Sequence, residues 1–435
     1  MIKKHPLIKG TLILTIASLL SRILGFYNRI FLSRTIGARE LGIYQMIFPV
    51  YLLCFSICCH GFETALSRLI AAEASGSHNQ NILFLLKSAI TTCLLLALFC
   101  TGALYYGADS ICIHFFASKG ASCLKITAFA LPFVAIKGCI AGYYIGTGNS
   151  SIPSICQICE QLFRVGSILL FAYSSLYSFV AGAKLAACGM VVGECASCLL
   201  ILYFFTKASF PDSPDFIPKK KLYQSFWKLS LPLTANRISL SLLQSIEAVL
   251  IPRQLSLYYG NTAFAIELYG VLTGIALPFL FFPSTLTHSL ATVLMPSVAS
   301  DYESKNTVHL NRTITIASYG CFLLGVFFLG IFFFGSDFFG TVIFHNEMSV
   351  SLIRILSFLC PAFYLSAIQG SILNGFGKTT ITFRHNLYSI LLRLLFILFA
   401  IPAIGIHGYL FGLLCSCFFL VFCHNRAIHK ITSWK

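Results

Sequence analysis

The run ILFLLKSAITTCLLLALFCTGALYY, residues 82–106, carries one charged side chain, Lys87, in 25 positions. About 20 apolar residues in a helix cross a hydrocarbon core of about 30 Å. Backbone N–H and C=O groups find no water in lipid, so only helices and closed barrels span a membrane. Barrel strands would be shorter and would alternate in polarity. This run is therefore predicted to be a transmembrane α-helix.

Windows of the same kind recur along the chain. We therefore predict an all-α polytopic membrane protein with about 12 transmembrane helices. The predicted spans are 7–31, 44–61, 82–106, 124–144, 155–173, 179–205, 230–250, 268–290, 313–334, 353–373, 387–404 and 409–423. Only 10% of the 435 residues are charged, against about a quarter in soluble proteins. This composition excludes a soluble globular or disordered protein.

The charges are strongly biased towards basic residues, with 30 Lys and Arg against 14 Asp and Glu, a formal net charge of +16. If the N-terminus lies in the cytoplasm, most basic loop residues fall on the cytoplasmic side, as the positive-inside rule requires. We therefore expect a multi-pass protein of the bacterial cytoplasmic membrane with both termini in the cytoplasm. The rule accounts for most of the excess, so no nucleic-acid partner is predicted.

A polar, proline-containing stretch divides the spans into six and six. The predicted domains are an N-terminal six-helix lobe (1–206), a cytoplasmic linker (207–229), a C-terminal six-helix lobe (230–424) and a cytoplasmic tail (425–435). The linker contains Lys219, Lys220 and Lys221, for which contact with anionic lipids is the expected use.

The two halves also repeat in sequence. The turn Gly146-Thr-Gly-Asn149 matches Gly375-Phe-Gly-Lys378 at an offset of 229 residues, and Arg164 then coincides with Arg393. The pair Ser21-Arg22 likewise matches Asn236-Arg237. This indicates two pseudo-symmetric six-helix lobes arising from a parallel duplication, as in several transporter folds.

Ionisable residues inside the predicted spans are the candidate functional residues, because each costs about 2.5–3.5 kcal/mol on the insertion scale. Substrate-binding positions are predicted at Arg22, Arg29, Arg164, Arg237 and Arg393, and polar or gating positions of a hydrated cavity at Gln157, Glu160, Glu194, Gln244 and Glu247. Two interpretations stay open for Glu160 and Arg164, which either line the cavity or pair within one helix. Lys137, also inside a predicted span, could extend its ammonium towards water.

No catalytic constellation or metal site is predicted. The spacings Cys156/Cys159 and Cys195/Cys198 fall inside hydrophobic segments and lack the context of a redox or zinc site. Acidic residues of the predicted outer loops are too sparse for a metal-dependent transferase. We therefore expect a transporter rather than an enzyme.

Several phrases resemble one known family. They are SRILGF (21–26), RIFLSRTIG (29–37), GIYQMIFPV (42–50), GFETALSRLIAAE (61–73), QICEQLFRV (157–165), YGVLTGIALPFLFFPS (269–284) and SILNGFGK (371–378). Together they are similar to the stage V sporulation protein B family of polysaccharide-type flippases, within the multidrug/oligosaccharidyl-lipid/polysaccharide exporter superfamily. One departure is Ala141, where family members often carry an arginine.

The resemblance implies two lobes forming a V that alternates between inward and outward openings. It implies a cargo of undecaprenyl-pyrophosphate-linked saccharide and a relationship to the lipid II flippases of peptidoglycan synthesis. It also places Arg22 and Arg29 in the first-helix region that lipid II flippases use for the pyrophosphate.

The leading hypothesis is a flippase for such a cargo, with lipid II or a related cell-wall precursor as the expected substrate and cell-wall synthesis enzymes as further expected partners. No cofactor is expected, and energy would come from the membrane potential or from a gradient of Na⁺ or H⁺. One alternative is a cation-coupled multidrug exporter of the same superfamily, which the arginine excess disfavours. Another is a membrane scaffold of the cell-wall machinery, which does not transport.

Overall fold

The computed structural model describes residues 6–75, 79–116, 120–174, 177–207, 219–304 and 306–432. Every regular element in these ranges is helical, and the prediction of an all-α membrane fold is confirmed. In the first half the helices are α1 (Pro6–Phe55), α2 (Gly61–Ser75), α3 (Asn79–Ile111), α4 (Ala121–Ala128), α5 (Ala130–Gly146), α6 (Ser151–Tyr173), α7 (Tyr177–Val180) and α8 (Ala183–Thr206).

The second half continues the same pattern. Its helices are α9 (Lys219–Tyr259), α10 (Thr262–Gly270), α11 (Leu277–Phe281), α12 (Ser284–Glu303), α13 (Thr307–Phe334), α14 (Glu347–Leu356), α15 (Leu359–Gly375), α16 (Thr379–Phe399), α17 (Ile401–Ile404) and α18 (Ile406–Thr432). Most of the predicted linker, 208–218, lies outside the described residues. The predicted lobe boundaries therefore stay a prediction, although residues 219–229 are already helical.

The described residues contain nine helices long and apolar enough to cross a membrane, and a bent pair, α14 with α15, adds a tenth. One of the nine, Ile16–Glu73, is 58 residues long, about twice the length of a single span, and Gly37 interrupts its helical backbone. The predicted seventh span lies in α9, which carries too many polar residues to be among the nine. Twelve crossings, as predicted, would require the long run to cross twice and α9 to cross as well, so this count stays a prediction.

One predicted boundary was displaced. The eighth span was predicted at 268–290, whereas the apolar segment is Thr262–Phe281. A break at Phe282 and Pro283 separates it from α12, because proline lacks the N–H that would continue the helical hydrogen-bond ladder. The sequence window ran across this break because both sides of it are apolar.

The matching glycine turns of the two halves adopt the same backbone. Gly148 and Gly377 have φ of 81° and 74°, the left-handed region that glycine enters without steric cost. Asn149 N–H donates to the Tyr144 carbonyl over 2.8 Å, and Lys378 N–H donates to the Leu373 carbonyl over 3.0 Å. These six-to-one bonds close the Schellman motif that ends α5 and α15.

Other irregularities also recur in order along the two halves. π-helical segments at Ser56–His60 and Cys112–Phe116 are followed in the second half by Val271–Ala276 and Phe338–Ile343. The helices α8 and α18 each begin after a glycine with ψ of −142°. The predicted duplication therefore extends to backbone geometry.

The chain forms two compact units: Met1–Asn28 with Ile43–Ala248, and Arg29–Gly42 with Val249–Lys435. We call these unit 1 and unit 2. The helices α1 and α9 each contribute residues to both units. In unit 1, Ser56 Oγ and Ser241 Oγ lie 2.7 Å apart, and the Ser245 hydroxyl donates to the Pro49 carbonyl over 2.9 Å, which holds the first part of α9 against α1.

Large apolar side chains cover the outer faces of both units. Phe99, Tyr106, Leu170, Phe334 and Phe399 are all more than two-thirds exposed. Surfaces of this kind are expected to face lipid tails. Charged residues inside the bundle are costly in such an environment and are therefore the candidates for function.

Candidate functional site

Three helices of unit 1 meet closely where their charged residues lie. On α8, Gly189 and Gly193 form a small-xxx-small pair that allows close helix contact. A Cβ on Gly193 would lie 2.7 Å from the Glu160 carbonyl oxygen and 3.0 Å from Arg164 Cβ. The glycines thus place Glu194, the next residue of α8, beside the charged residues of α6.

Four charged side chains form one network in this contact region. The ammonium of Lys137, on α5, donates to Glu160 Oε2 over 2.8 Å and also to Glu194 Oε2. The guanidinium of Arg164 donates from Nη2 to Glu160 Oε1 over 2.6 Å and lies 3.5 Å from Glu194 Oε1. Each carboxylate therefore contacts both cations.

The network is largely buried and electrically balanced. The side chains of Lys137 and Arg164 are 18% exposed, and those of Glu160 and Glu194 are 12% and 9% exposed. Two positive and two negative charges cancel, which offsets the cost of removing them from water. One donor, Arg164 Nε, is buried and has no hydrogen-bond partner among the described residues, so the guanidinium keeps an unused N–H.

This geometry answers two questions that the sequence left open. The Glu160–Arg164 pair within α6 exists, and Glu194 joins it from α8. Lys137 does not extend to water, which the sequence had left open. Its side chain is largely buried, and its ammonium contacts the carboxylates of Glu160 and Glu194. The periodicity of the sequence could not predict the ion pairs of Lys137, because their acidic partners lie on other helices. The GxxxG spacing of Gly189 and Gly193 was the available signal for close packing of α8.

The remaining predicted residues are distributed over both units. In unit 1, Arg22 and Arg237 are exposed near the middle of α1's first span and of α9, Gln244 is exposed, Gln157 is half-buried and Glu247 is buried. Arg29 and Arg393 belong to unit 2 and are half-buried. The structure thus brings together Glu160, Arg164 and Glu194, with Lys137 added, and leaves the other roles as predictions.

The predicted polar stripe on α9 is divided between two faces. Ser241 and Glu247 are buried, whereas Arg237 and Gln244, seven residues apart, share an exposed face. Arg237 lies near His60, at the end of the first π-helical segment. The exposed pair is the part of the stripe that a ligand could reach.

No metal centre is formed within the described ranges, where no group of three His, Cys, Asp or Glu side chains is placed to hold an ion. The cysteines of both CxxC spacings are free thiols.

Comparison with known proteins identifies the family. Residues 7–300 match the family described as polysaccharide biosynthesis protein, which is more than half of the chain and includes the whole four-charge network. The chain belongs to this family. The match also contains Arg22, Arg29 and Arg237.

Two curated relatives from Bacillus subtilis (strain 168) extend the comparison. Stage V sporulation protein B is 27% identical, over 98% of this chain and 84% of its own length. The lipid II flippase MurJ is 21% identical, over 71% of this chain and 60% of its own length.

Solved structures show the same fold. An inward-facing multidrug resistance MATE family transporter of the MOP superfamily aligns with a TM-score of 0.73 at 13% identity, covering 95% of this chain and 96% of that chain. The family and the fold make the chain a multi-pass membrane transporter of the polysaccharide flippase type, not an enzyme.

Proposed function

We propose that the protein is a flippase that carries an undecaprenyl-pyrophosphate-linked saccharide, with lipid II or a related cell-wall precursor as the cargo, across the bacterial cytoplasmic membrane. The observation that carries the proposal is the exposure of Arg22 and Arg237 in the middle of long helices of unit 1.

An arginine at this depth requires water or an anion beside it, because lipid tails solvate no charge. The guanidinium group offers a planar fork of donors that matches phosphate oxygens in a bidentate geometry. A pyrophosphate headgroup would therefore bind at Arg22 and Arg237 while its polyprenyl tail stays in the bilayer. A cationic drug would be repelled by the same two residues.

The four-charge network contains a third arginine, Arg164, that could bind the headgroup if it left its carboxylate partners. Arg164 is paired with Glu160 and Glu194, and its Nε–H is unused. We infer that a pyrophosphate competes with the carboxylates for this guanidinium. Gln157 and Gln244 would line the same hydrated path in unit 1. The roles of Glu247, Arg29 and Arg393 stay predictions from the sequence.

Transport in this proposal proceeds by alternating access with both termini in the cytoplasm. Lys220 and Lys221 are exposed at the start of α9, in keeping with contact to anionic lipid headgroups; the side chain of Lys219 lies outside the described residues. Each charge moved through a membrane potential contributes about 2.3 kcal/mol per 100 mV, enough to bias a two-state transporter. Cell-wall synthesis enzymes are the proposed partners that supply or use the cargo.

The test is reconstitution of the full chain in liposomes with fluorescently labelled lipid II and, separately, with a cationic dye. We expect translocation of the lipid, and a loss of at least about tenfold in Arg22→Ala and Arg237→Ala, since a hydrogen bond to a charged group contributes about 1.5–3 kcal/mol. Arg312→Ala, an exposed residue of α13, is the control and should retain the wild-type rate. Movement of the dye alone, insensitive to both arginine variants, would contradict the proposal.

A further inference from the structure

A fifth ionisable side chain lies beside the four-charge network. Glu63, on α2, packs against Gly138 and Gly142 of α5. A Cβ on Gly138 would lie 3.5 Å from Glu63 Oε2, and one on Gly142 would lie 2.9 Å from the Glu63 carbonyl oxygen. Lys137, the neighbour of Gly138, is the charged group that acts electrostatically on Glu63.

The charges of this enlarged cluster do not balance. Glu63, Glu160 and Glu194 are three acids, whereas Lys137 and Arg164 are two bases. The two bases are already hydrogen-bonded to Glu160 and Glu194. An unbalanced negative charge among closely packed membrane helices is costly, so the cluster is most stable when it takes up one positive charge.

The surroundings of Glu63 favour a proton over a metal ion as that charge. Hard cations such as Na⁺ need several oxygen ligands, whereas Gly138 and the Cys59 thiol, which lie beside the carboxylate, have no side-chain oxygen to offer. The titratable and charged groups that interact with it are Cys59 of the π-helical segment and Lys137 of α5. Cys139 of α5 and Cys93 of α3 lie next, beside Cys59. Arg237 of α9 acts instead on His60. In the part of the chain that the structure describes, no group of three His, Cys, Asp or Glu side chains is placed to hold a metal ion.

We propose that Glu63 is the proton-binding residue of the transporter, and that the proton is its coupling ion. This inference rests on the proposed function and adds to it the ion and its binding residue. A proton from water adds to a carboxylate oxygen of Glu63 and later returns to water from the same oxygen, so no other reactant is consumed. Glu63 is only partly buried, which leaves a route for this exchange.

Loss of the proton would change the network itself. An ionised Glu63 attracts the Lys137 ammonium, which then binds Glu160 and Glu194 less tightly. These carboxylates hold Arg164 more tightly in return, and the guanidinium becomes less available to an anionic headgroup. Protonation of Glu63 and binding of the headgroup at Arg164 are thus linked, and the linkage is reciprocal.

The first experiment needs no transport. Infrared spectra of the full chain in lipid vesicles at neutral pH should show the C=O stretching band of a protonated carboxyl group. The isosteric variant Glu63→Gln should remove this band. Glu73→Gln, on the same helix, should keep it, because the Glu73 carboxylate accepts a hydrogen bond from Asn81 over 2.8 Å and lies outside the cluster. Absence of the band in the wild type, or its survival in Glu63→Gln, would overturn the assignment.

The second experiment measures flux of labelled lipid II in proteoliposomes under a pH gradient or a sodium gradient. A gradient of one pH unit should accelerate the wild type by up to about tenfold, and Glu63→Gln should lose this dependence. Stimulation by sodium at uniform pH would overturn the choice of ion. If the band behaves as expected but no lipid moves, the proposed cargo fails while the proton site stands.

Discussion

Gly193 lies directly against Glu160, so that a methyl group on Gly193 would come within 2.7 Å of the Glu160 carbonyl oxygen. This contact sets the distance between α6 and α8, and hence the reach of Glu194 to Lys137 and Arg164.

Gly193→Ala should therefore separate α8 from α6 and break the network. Overpacking of this kind costs about 1–3 kcal/mol, so we expect a lower unfolding temperature and reduced lipid translocation. Most of the cysteines are buried and free, so a thiol-reactive dye reports unfolding of the detergent-solubilised protein. Gly166→Ala on α6 is the matched control, since its Cβ meets no atom within 4 Å. Equal melting of both variants would argue against a close α6–α8 contact.

Removal of one cation from the network should lower the stability of the protein more than removal of a cation together with one of its acidic partners. Lys137→Met leaves Glu160 and Glu194 with Arg164 alone, and breaking a buried pair costs about 3–5 kcal/mol. The double variant Lys137→Met/Glu194→Gln restores charge balance among the four groups and should recover part of the lost thermal stability. If the double variant is less stable than Lys137→Met by the full effect of Glu194→Gln alone, the two residues are not coupled.

Arg34 is expected to stabilise unit 2 without serving the cargo. Its Nε donates to the Ile343 carbonyl over 2.9 Å, and Nη2 donates to Val342 over 3.1 Å, which satisfies the carbonyls that end the fourth π-helical segment. Arg34→Ala should lower the free energy of unfolding by about 1–3 kcal/mol, measured by thermal melting. Arg39→Ala, an exposed neighbour on α1, should melt as the wild type does. Identical melting of both variants would show that these bonds contribute nothing.

A buried polar group in unit 2 offers a stabilising substitution. The Gln369 side chain is 3% exposed, and its Oε1 has no hydrogen-bond partner among the described residues. Such an oxygen costs about 1–3 kcal/mol, so Gln369→Leu should raise the unfolding temperature. Gln80→Leu, at an exposed position of α3, should leave it unchanged. A fall in stability in Gln369→Leu would instead indicate a buried water bound to Gln369.

The sequence was sufficient for the membrane fold, the duplication and the family, because each depends on apolar windows or on motifs within one segment. It was insufficient for the site, because the network joins α5, α6 and α8. The i, i+4 spacing of Glu160 and Arg164 predicts a pair on one helix, but nothing near Glu194 or Lys137 in sequence shows which helix faces them. The sequence did not single out Glu63 for the same reason, because the charge imbalance appears only when the ionisable residues of four helices are counted together. The bounds predicted for the eighth span were displaced because a hydropathy average does not detect the break in the helix at Pro283.

The shared glycine turns at Gly148 and Gly377 fix the alignment of the two halves, and that alignment shows where the halves have diverged. At the offset of 229 residues, Arg164 corresponds to Arg393, but Glu160 corresponds to Ser389 and Lys137 to Ser366. Ser389 is neutral, and its hydroxyl donates a hydrogen bond to the Ser416 carbonyl over 3.0 Å. The first copy of the repeat carries the Lys137–Glu160 ion pair, whereas the second has neutral serines at the equivalent positions. The two copies are therefore not interchangeable, and an exchange of these positions between them would move the ion pair to the second half of the chain.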